Sequence, residues 1–131
     1  MDDGSHRLVA VVDDDDAVRD SLRFLLEIAG YAVAAYASSA QFLGIAPLDQ
    51  LSCLVIDQHM PDQTGLQLVA RLRADGVTLP VVLITGSPSP DLFRQARELG
   101  VARVLEKPLD DEALLGFIEH ANGGGVAGPG G

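Results

Sequence analysis

The sequence predicts an α/β fold: a five-stranded parallel sheet, doubly wound, with helices on both faces. Three observations lead there. Short apolar runs alternate five times with segments of helical apolar spacing, the strand-helix pattern of a layered α/β domain. Most of those runs are Val- and Ile-rich with no polar alternation, which marks strands buried on both faces rather than on one. Parallel strands need crossover connections, and these are right-handed.

Leu8-Val9-Ala10-Val11-Val12 is the first strand, and it ends in four consecutive aspartates, Asp13 to Asp16. Val18, Leu22, Leu25, Leu26 and Ala29 then follow helical spacing, with acids at the N-terminal end and Gly30 at the place of a left-handed cap. Asp15 and Asp16 belong to that helix start, where negative side chains stabilise exposed N–H groups. Tyr31 to Tyr36 reads as a second strand, although its alanines are poor strand formers. Ser38-Ser39-Ala40-Gln41 matches a capping box and opens a short helix through Phe42 and Leu43, closed near Pro47.

Ser52 to Ile56 is the third strand, and it delivers Asp57 into a loop with Pro61 and Gly65. Leu66, Val69 and Leu72 stripe a third helix that Asp75-Gly76 stops. Pro80 to Ile84 is the fourth strand, followed by Thr85-Gly86. Ser89-Pro90-Asp91 starts a helix with Ser at the cap and Pro at the first helical position, and Leu92, Ala96 and Leu99 form its buried face up to Gly100. Val101 to Glu106 is the fifth strand, closed by Lys107-Pro108. Asp110 or Asp111 caps the last helix, with Leu114, Phe117, Ile118 and Ala121 inward. Residues 122–131 are mostly Gly, a flexible tail or the start of a linker, and residues 1–7 are an N-terminal extension.

The 131 residues suit one domain, and 47% hydrophobic content supports an ordinary core. Nine Lys and Arg against 19 Asp and Glu give a net charge of −10, which repels phosphate backbones and anionic lipids. Direct nucleic-acid binding by this chain is therefore not expected. Cys53, the single cysteine, reads as a small buried apolar residue. The start has no apolar leader-like run and no stretch is long enough to span a bilayer, so the expected location is the cytoplasm, off the membrane.

In such sheets ligands bind beyond the carboxyl ends of the strands, where the strand order reverses. Asp13 and Asp14, Asp57, Thr85 and Lys107 directly follow the first, third, fourth and fifth strands, so all open on that one edge. Taken alone, Asp57 is as easily the first residue of a turn, and Lys107 a surface lysine in a tight loop. Together they make a chemical set. At about 4 Å and an effective dielectric of about 20, two carboxylates repel by about 4 kcal/mol, and a divalent cation removes the conflict. Oxygen-only ligands suit Mg²⁺ (or Mn²⁺), which commonly shares its shell with a phosphoryl group. Thr85 can donate to a phosphoryl oxygen and Lys107 can neutralise another. Lys107 is the only lysine beside eight arginines, a compact ammonium where the chain otherwise uses a planar fork.

These residues carry a resemblance. Val12-Asp13-Asp14-Asp15-Asp16, Val55-Ile56-Asp57 with Met60-Pro61 and Gly65, Leu83-Ile84-Thr85-Gly86, and Glu106-Lys107-Pro108 are similar to the motifs of response-regulator receiver domains of two-component signalling, over about Arg7 to Ala121. The resemblance implies a flavodoxin-like strand order, 2-1-3-4-5, and a receiver domain over residues 8–121. It implies a phosphorylation-dependent switch rather than a turnover enzyme, in which Asp57 accepts a phosphoryl group from a histidine kinase or histidine phosphotransfer protein of a phosphorelay. Asp14, Asp57 and the His59 backbone carbonyl would bind Mg²⁺ directly, Asp13 largely through water, and Thr85 and Lys107 would hold the phosphoryl oxygens. Readout would use the face over residues 91–121, toward a homodimer partner or a downstream effector. The motifs after Asp57 look most like receivers that precede a helix-turn-helix output domain.

Three departures bear on that reading. The switch position three residues before the lysine, aromatic in many receivers, is Val104, so Thr85 has no aromatic partner there; either loop movement alone remodels the face or a partner reads the fourth helix. His59 either approaches the phosphoryl group or points to solvent while its carbonyl binds metal, and the second is favoured. Ser87-Pro88-Ser89-Pro90 stiffens the loop after Thr85. Two alternatives remain beside the switch: a pseudo-receiver docking module, marked by loss of an acid, Thr or Lys, and a Mg²⁺-dependent phosphatase with an aspartyl nucleophile, which would carry Asp where this chain has His59.

Overall fold

A computed structural model of the protein describes residues 8–121. The expected extension at 1–7 and the Gly-rich tail at 122–131 lie outside the described residues. Five strands, β1 (Leu8–Val12), β2 (Ala32–Tyr36), β3 (Leu51–Asp57), β4 (Val81–Thr85) and β5 (Arg103–Glu106), form one parallel sheet in the order β2-β1-β3-β4-β5. Helices α1 (Asp16–Ile28), α2 (Ser39–Ile45), α3 (Gly65–Ala74), α4 (Pro90–Glu98) and α5 (Asp111–Ala121) make the crossovers. The predicted class and order both hold.

Alternation along the strands sorts the core into two layers. Val9, Val11, Cys53, Val55, Val82 and Ile84 face Leu22 and Leu26 of α1 and Leu114 and Ile118 of α5. Ala10, Val12, Leu54, Ile56, Val81 and Leu83 face α2, α3 and α4 through Phe42, Leu68, Val69, Leu72, Leu92 and Ala96. Both faces of the central strands are therefore apolar, which is why their sequences show no alternation. Burial pushes the Cys53 thiol up to about 12, so it packs as an apolar group and stays protonated.

Several boundaries differ from expectation. β5 begins at Arg103 instead of Val101, β2 at Ala32 instead of Tyr31, and β3 runs one residue further at each end, to Leu51 and Asp57. β4 shifts one residue onward to include Thr85, and a 3₁₀ turn at Leu48–Gln50 was not expected. Ala29 is an exposed C-cap rather than an inward residue. Ser38 accepts from Gln41 N–H at 3.0 Å as expected, but the returning Gln41 side chain takes the N–H of Ala37 at 2.7 Å instead of that of the cap residue. The reciprocal capping box sits instead at Thr64 and Gln67. Asp110, not Asp111, caps α5, accepting from the Glu112 N–H at 2.9 Å.

One structural arginine was not foreseen. Arg73 donates to the carbonyls of Leu99 (2.8 Å), Val77 (2.9 Å), Leu79 (3.0 Å) and Gly100 (3.2 Å), tying the end of α3 to the entry of β4 and the end of α4. Burial lowers its pKa, and no carboxylate appears among these partners. Arg73→Ala should lower stability by about 2 kcal/mol in denaturant unfolding, because several half-buried carbonyls lose a charged donor together. Arg73→Lys should recover only part of that, since an ammonium cannot span the same fork.

Candidate functional site

The register explains where the polar residues meet. Val12 pairs with Ile56, Asp57 with Ile84, and Thr85 with Glu106, so Asp13, Asp57, Thr85 and Lys107 all fall at the carboxyl edge. The chain leaves β1 toward β2 on one side and arrives at β3 on the other. Asp13 and Asp57 therefore flank the point where the strand order reverses.

Local bonds hold each loop in place. Asp13 N–H donates to the Tyr36 carbonyl at 3.1 Å, and its Oδ1 accepts from Asp15 N–H at 2.9 Å. Arg19 of α1 donates to the Asp13 carbonyl at 2.8 Å and pairs with Asp16, fastening the acidic loop to the helix it opens. Asp15 caps α1, accepting from Ala17 and Val18, so it is occupied as a cap as the sequence suggested. After Asp57, Gln58 N–H continues the ladder to the Ile84 carbonyl at 2.8 Å. The Gln58 carbonyl and side-chain Oε1 then accept from Gly65 and Leu66 N–H at 3.0 and 2.9 Å, pinning the start of α3 against the end of β3. Asp62 reaches across to the Ala40 N–H at 3.0 Å.

The acids converge. Asp13, Asp14 and Asp57 each place a carboxylate oxygen within 4.8 Å of the others. Asp13 is 1% and Asp57 3% exposed, while Asp14 lies open to solvent. Burial first, and then the neighbouring Asp57 and Asp14 charges, raise the Asp13 pKa against the lowering effects of the Asp15 N–H and Lys107. Lys107 Nζ stands 3.0 Å from Asp57 Oδ1. Burial pulls the lysine pKa down, but the contact with Asp57 and the charges of Asp57, Asp13 and Asp15 outweigh it and hold the pKa above its ordinary value. The Asp57 contact is an ion pair by distance without hydrogen-bond alignment. Asp57 Oδ1 and Asp13 Oδ2 are buried with no hydrogen-bond partner among the described residues. Two buried carboxylate oxygens with unmet acceptor capacity, beside an exposed third carboxylate, are a donor set that fits a hard divalent cation.

Thr85 is fully buried, and its Oγ1 accepts from Ser87 N–H at 3.0 Å. Its main-chain carbonyl accepts from Lys107 N–H at 2.9 Å, which couples the two loops directly. His59 is exposed, in keeping with the favoured reading, but its ring is not free in solvent: Nε2 lies 3.4 Å from Thr85 Oγ1. The turn after Asp57 folds back over the end of β4, a contact across 26 positions that spacing cannot reveal. Val104 sits half-buried on the α4 side of the sheet, opposite Leu83 in the ladder. No aromatic ring occupies that position.

Comparison with known proteins gives a consistent result. The family described as response regulator receiver domain matches residues 9–119. The transcriptional regulatory protein FixJ of Azorhizobium caulinodans is 45% identical over 116 residues, 88% of this chain and 54% of that protein. FixJ of Bradyrhizobium diazoefficiens is 38% identical over 113 residues, 86% of this chain and 55% of that protein. This chain thus spans about half the length of the curated relatives it matches. Among solved structures, FixJ-N superposes with a TM-score of 0.80 at 35% identity, covering 93% of this chain and 95% of that one. The chemotaxis protein CheY4 of Vibrio cholerae superposes at 0.80 with 27% identity, covering 87% of this chain and 97% of that one.

Proposed function

This chain belongs to the response regulator receiver domain family, and from that premise we propose that it is a phosphorylation-dependent switch in which Asp57 takes a phosphoryl group from a phosphohistidine of a kinase or phosphotransfer protein. The observation that carries the reading is the 3.0 Å pairing of Lys107, the only lysine, with a 3% exposed Asp57 inside a cluster of acids. A structural salt bridge gains little from two further carboxylates beside it, whereas a phosphoryl acceptor needs both counter-charges and metal ligands there.

In the proposed reaction a carboxylate oxygen of Asp57 attacks phosphorus, the P–N bond breaks, and the donor's imidazole nitrogen keeps the electron pair and takes a proton from solvent water, leaving as neutral imidazole. Lys107 offsets charge on the transferred group, Thr85 donates its hydroxyl proton to a phosphoryl oxygen, and Arg19 keeps the acidic loop in place. Asp14, Asp57 and the His59 carbonyl would hold Mg²⁺ directly, with Asp13 acting through water. When bound, the cation supplies charge neutralisation between the carboxylates and the phosphoryl oxygens. An open apolar groove of about 600 Å³ lies beside Lys107, lined by Val18, Leu22, Leu25, Ile28, Pro108 and Leu109. Phe24 and Ile28 stand 67% and 69% exposed there. This is the surface we assign to the phosphodonor, and the 91–121 face, with Phe93 exposed on α4, to the downstream partner.

Among the described residues no helix is long and apolar enough to cross a membrane. A cytoplasmic site of action, and an output domain elsewhere in the full protein, are part of the proposal. The complete set of acids, Thr85 and Lys107 gives no support to a docking module without phosphorylation. Incubation with acetyl phosphate and Mg²⁺ should add one hydroxylamine-labile phosphate, seen by intact mass, and Asp57→Ala should abolish it. Persistence of the adduct in that variant would place the acceptor elsewhere.

A further inference from the structure

The reading above gives His59 only a main-chain role, yet its side chain is the one that reaches Thr85. Thr85 is fully buried, and its hydroxyl oxygen lies between Ser87 N–H at 3.0 Å and His59 Nε2 at 3.4 Å. A threonine hydroxyl has one proton to give and two lone pairs to accept with. Ser87 N–H occupies one lone pair. If the imidazole nitrogen accepts, the only proton is spent on His59; if it donates, the second lone pair is filled. In the first arrangement, with Nε2 bare and the ring proton on Nδ1, the imidazole and a phosphoryl oxygen call on the same proton; in the second they do not, and it is the first in which His59 acts. A phosphoryl oxygen on Asp57 brings no proton of its own, so it must take the one that Thr85 holds.

We propose that His59 is a positioning residue for Thr85, whose imidazole competes with a phosphoryl oxygen on Asp57 for the Thr85 hydroxyl proton. The separation of 3.4 Å is at the long end of hydrogen bonding, so the contact is weak enough to be surrendered when the stronger, charged acceptor is present. Ser87 N–H can keep its lone pair on the same oxygen throughout, so only the hydroxyl proton changes partner. The restraint on Thr85 thus comes from the loop after β3, while the half-buried Val104 of β5 brings no ring.

The proposal rests on Asp57 being the acceptor, and the test separates the two. Beryllofluoride, a non-covalent phosphoryl mimic, is titrated with Mg²⁺ into the full chain and followed by calorimetry, alongside the Thr85 methyl resonance. His59→Leu should bind the mimic about twofold more tightly than the parent, the low end of what a neutral hydrogen bond contributes, as its length implies. His59→Gln, which keeps a side-chain acceptor, should stay near the parent. Thr85→Ala should weaken binding more in the His59→Leu background than in the parent. Unchanged or weaker binding in His59→Leu overturns the competition. Failure of the parent itself to bind counts against Asp57 as acceptor; the restraint on Thr85 is then judged in the ligand-free protein by the Thr85 χ1 rotamer, read from three-bond couplings to its methyl carbon, which must change in His59→Leu and stay in His59→Gln.

Discussion

Asp13→Asn should make the metal-free protein more stable than the parent by about 1 to 2 kcal/mol at neutral pH. Asp13 is almost fully buried, its Oδ2 has no hydrogen-bond partner among the described residues, and two other carboxylates come within 4.8 Å. At that separation and an effective dielectric of about 20 the buried Asp13–Asp57 pair costs about 3.5 kcal/mol, the exposed Asp14 charge adds less because solvent screens it, and Lys107 offsets only part of the sum. Asparagine removes the buried charge, and its amide oxygen can still accept from the Asp15 N–H that Asp13 Oδ1 now serves. The pH dependence has a defined sign. Burial, and then Asp57, raise the native Asp13 pKa above its ordinary 3.8, so the native state keeps this proton longer than the unfolded chain. The group's favourable contribution is complete below 3.8 and is lost as pH rises through the raised native value. The advantage of Asp13→Asn therefore grows with pH across that window and then levels off. Mg²⁺ should reverse the order: the parent gains about 2.7 kcal/mol at a hundredfold excess over its dissociation constant, while the variant gains much less. Denaturant unfolding with chelator and with Mg²⁺ checks both halves. A variant less stable than its parent in chelator would show that the acids are not in conflict.

The layout of the site was legible because strand ends and strand composition are local signals. Unbroken apolar runs placed the four polar groups on one edge, and the short helix-cap pattern at Ser89 marked where α4 begins, while for α5 the sequence left Asp110 and Asp111 both open. What escaped the sequence depends on contacts between distant segments. Arg73 could not be told from an exposed helix arginine, since its carbonyl acceptors lie 4, 6, 26 and 27 positions away. The Gln58 side chain looked like an odd polar residue beside Asp57, and its purpose emerged only when α3 was seen to start against it. The contact of the His59 ring with Thr85 was not foreseen because nothing in its neighbours indicates that the loop folds over β4. Only β5, an edge strand, was misplaced by more than one residue at an end. Hydrophobic spacing also could not say that Phe24 and Ile28 of α1 face outward beside the groove.

Gly65→Ala should cost about 3 kcal/mol of folding stability, a large effect for one added methyl group. The residue reads in sequence as a turn glycine, but its φ is not in the left-handed region, so the requirement is space. A Cβ there would sit 2.7 Å from Leu83 Cδ1, 2.8 Å from the Asp57 carbonyl oxygen and 3.2 Å from Gln58 Cα. Leu83 could move to another rotamer at modest cost, but the other two contacts are backbone. That backbone is held by the Gln58 N–H bond to Ile84 and by the Gly65 N–H bond to Gln58. Relief must therefore come from pushing α3 away from the end of β3, which breaks the pinning bonds to Gln58 and loosens Leu66 and Leu68 in the core. The same displacement moves the main chain that carries Asp57, so Mg²⁺ should stabilise Gly65→Ala less than it stabilises the parent. Guanidinium unfolding with and without Mg²⁺ measures both quantities. A stability near that of the parent would mean that the β3–α3 junction yields more readily than its hydrogen bonds indicate, and the close approach of Gly65 to the Asp57 carbonyl would then not be what holds Asp57 in place.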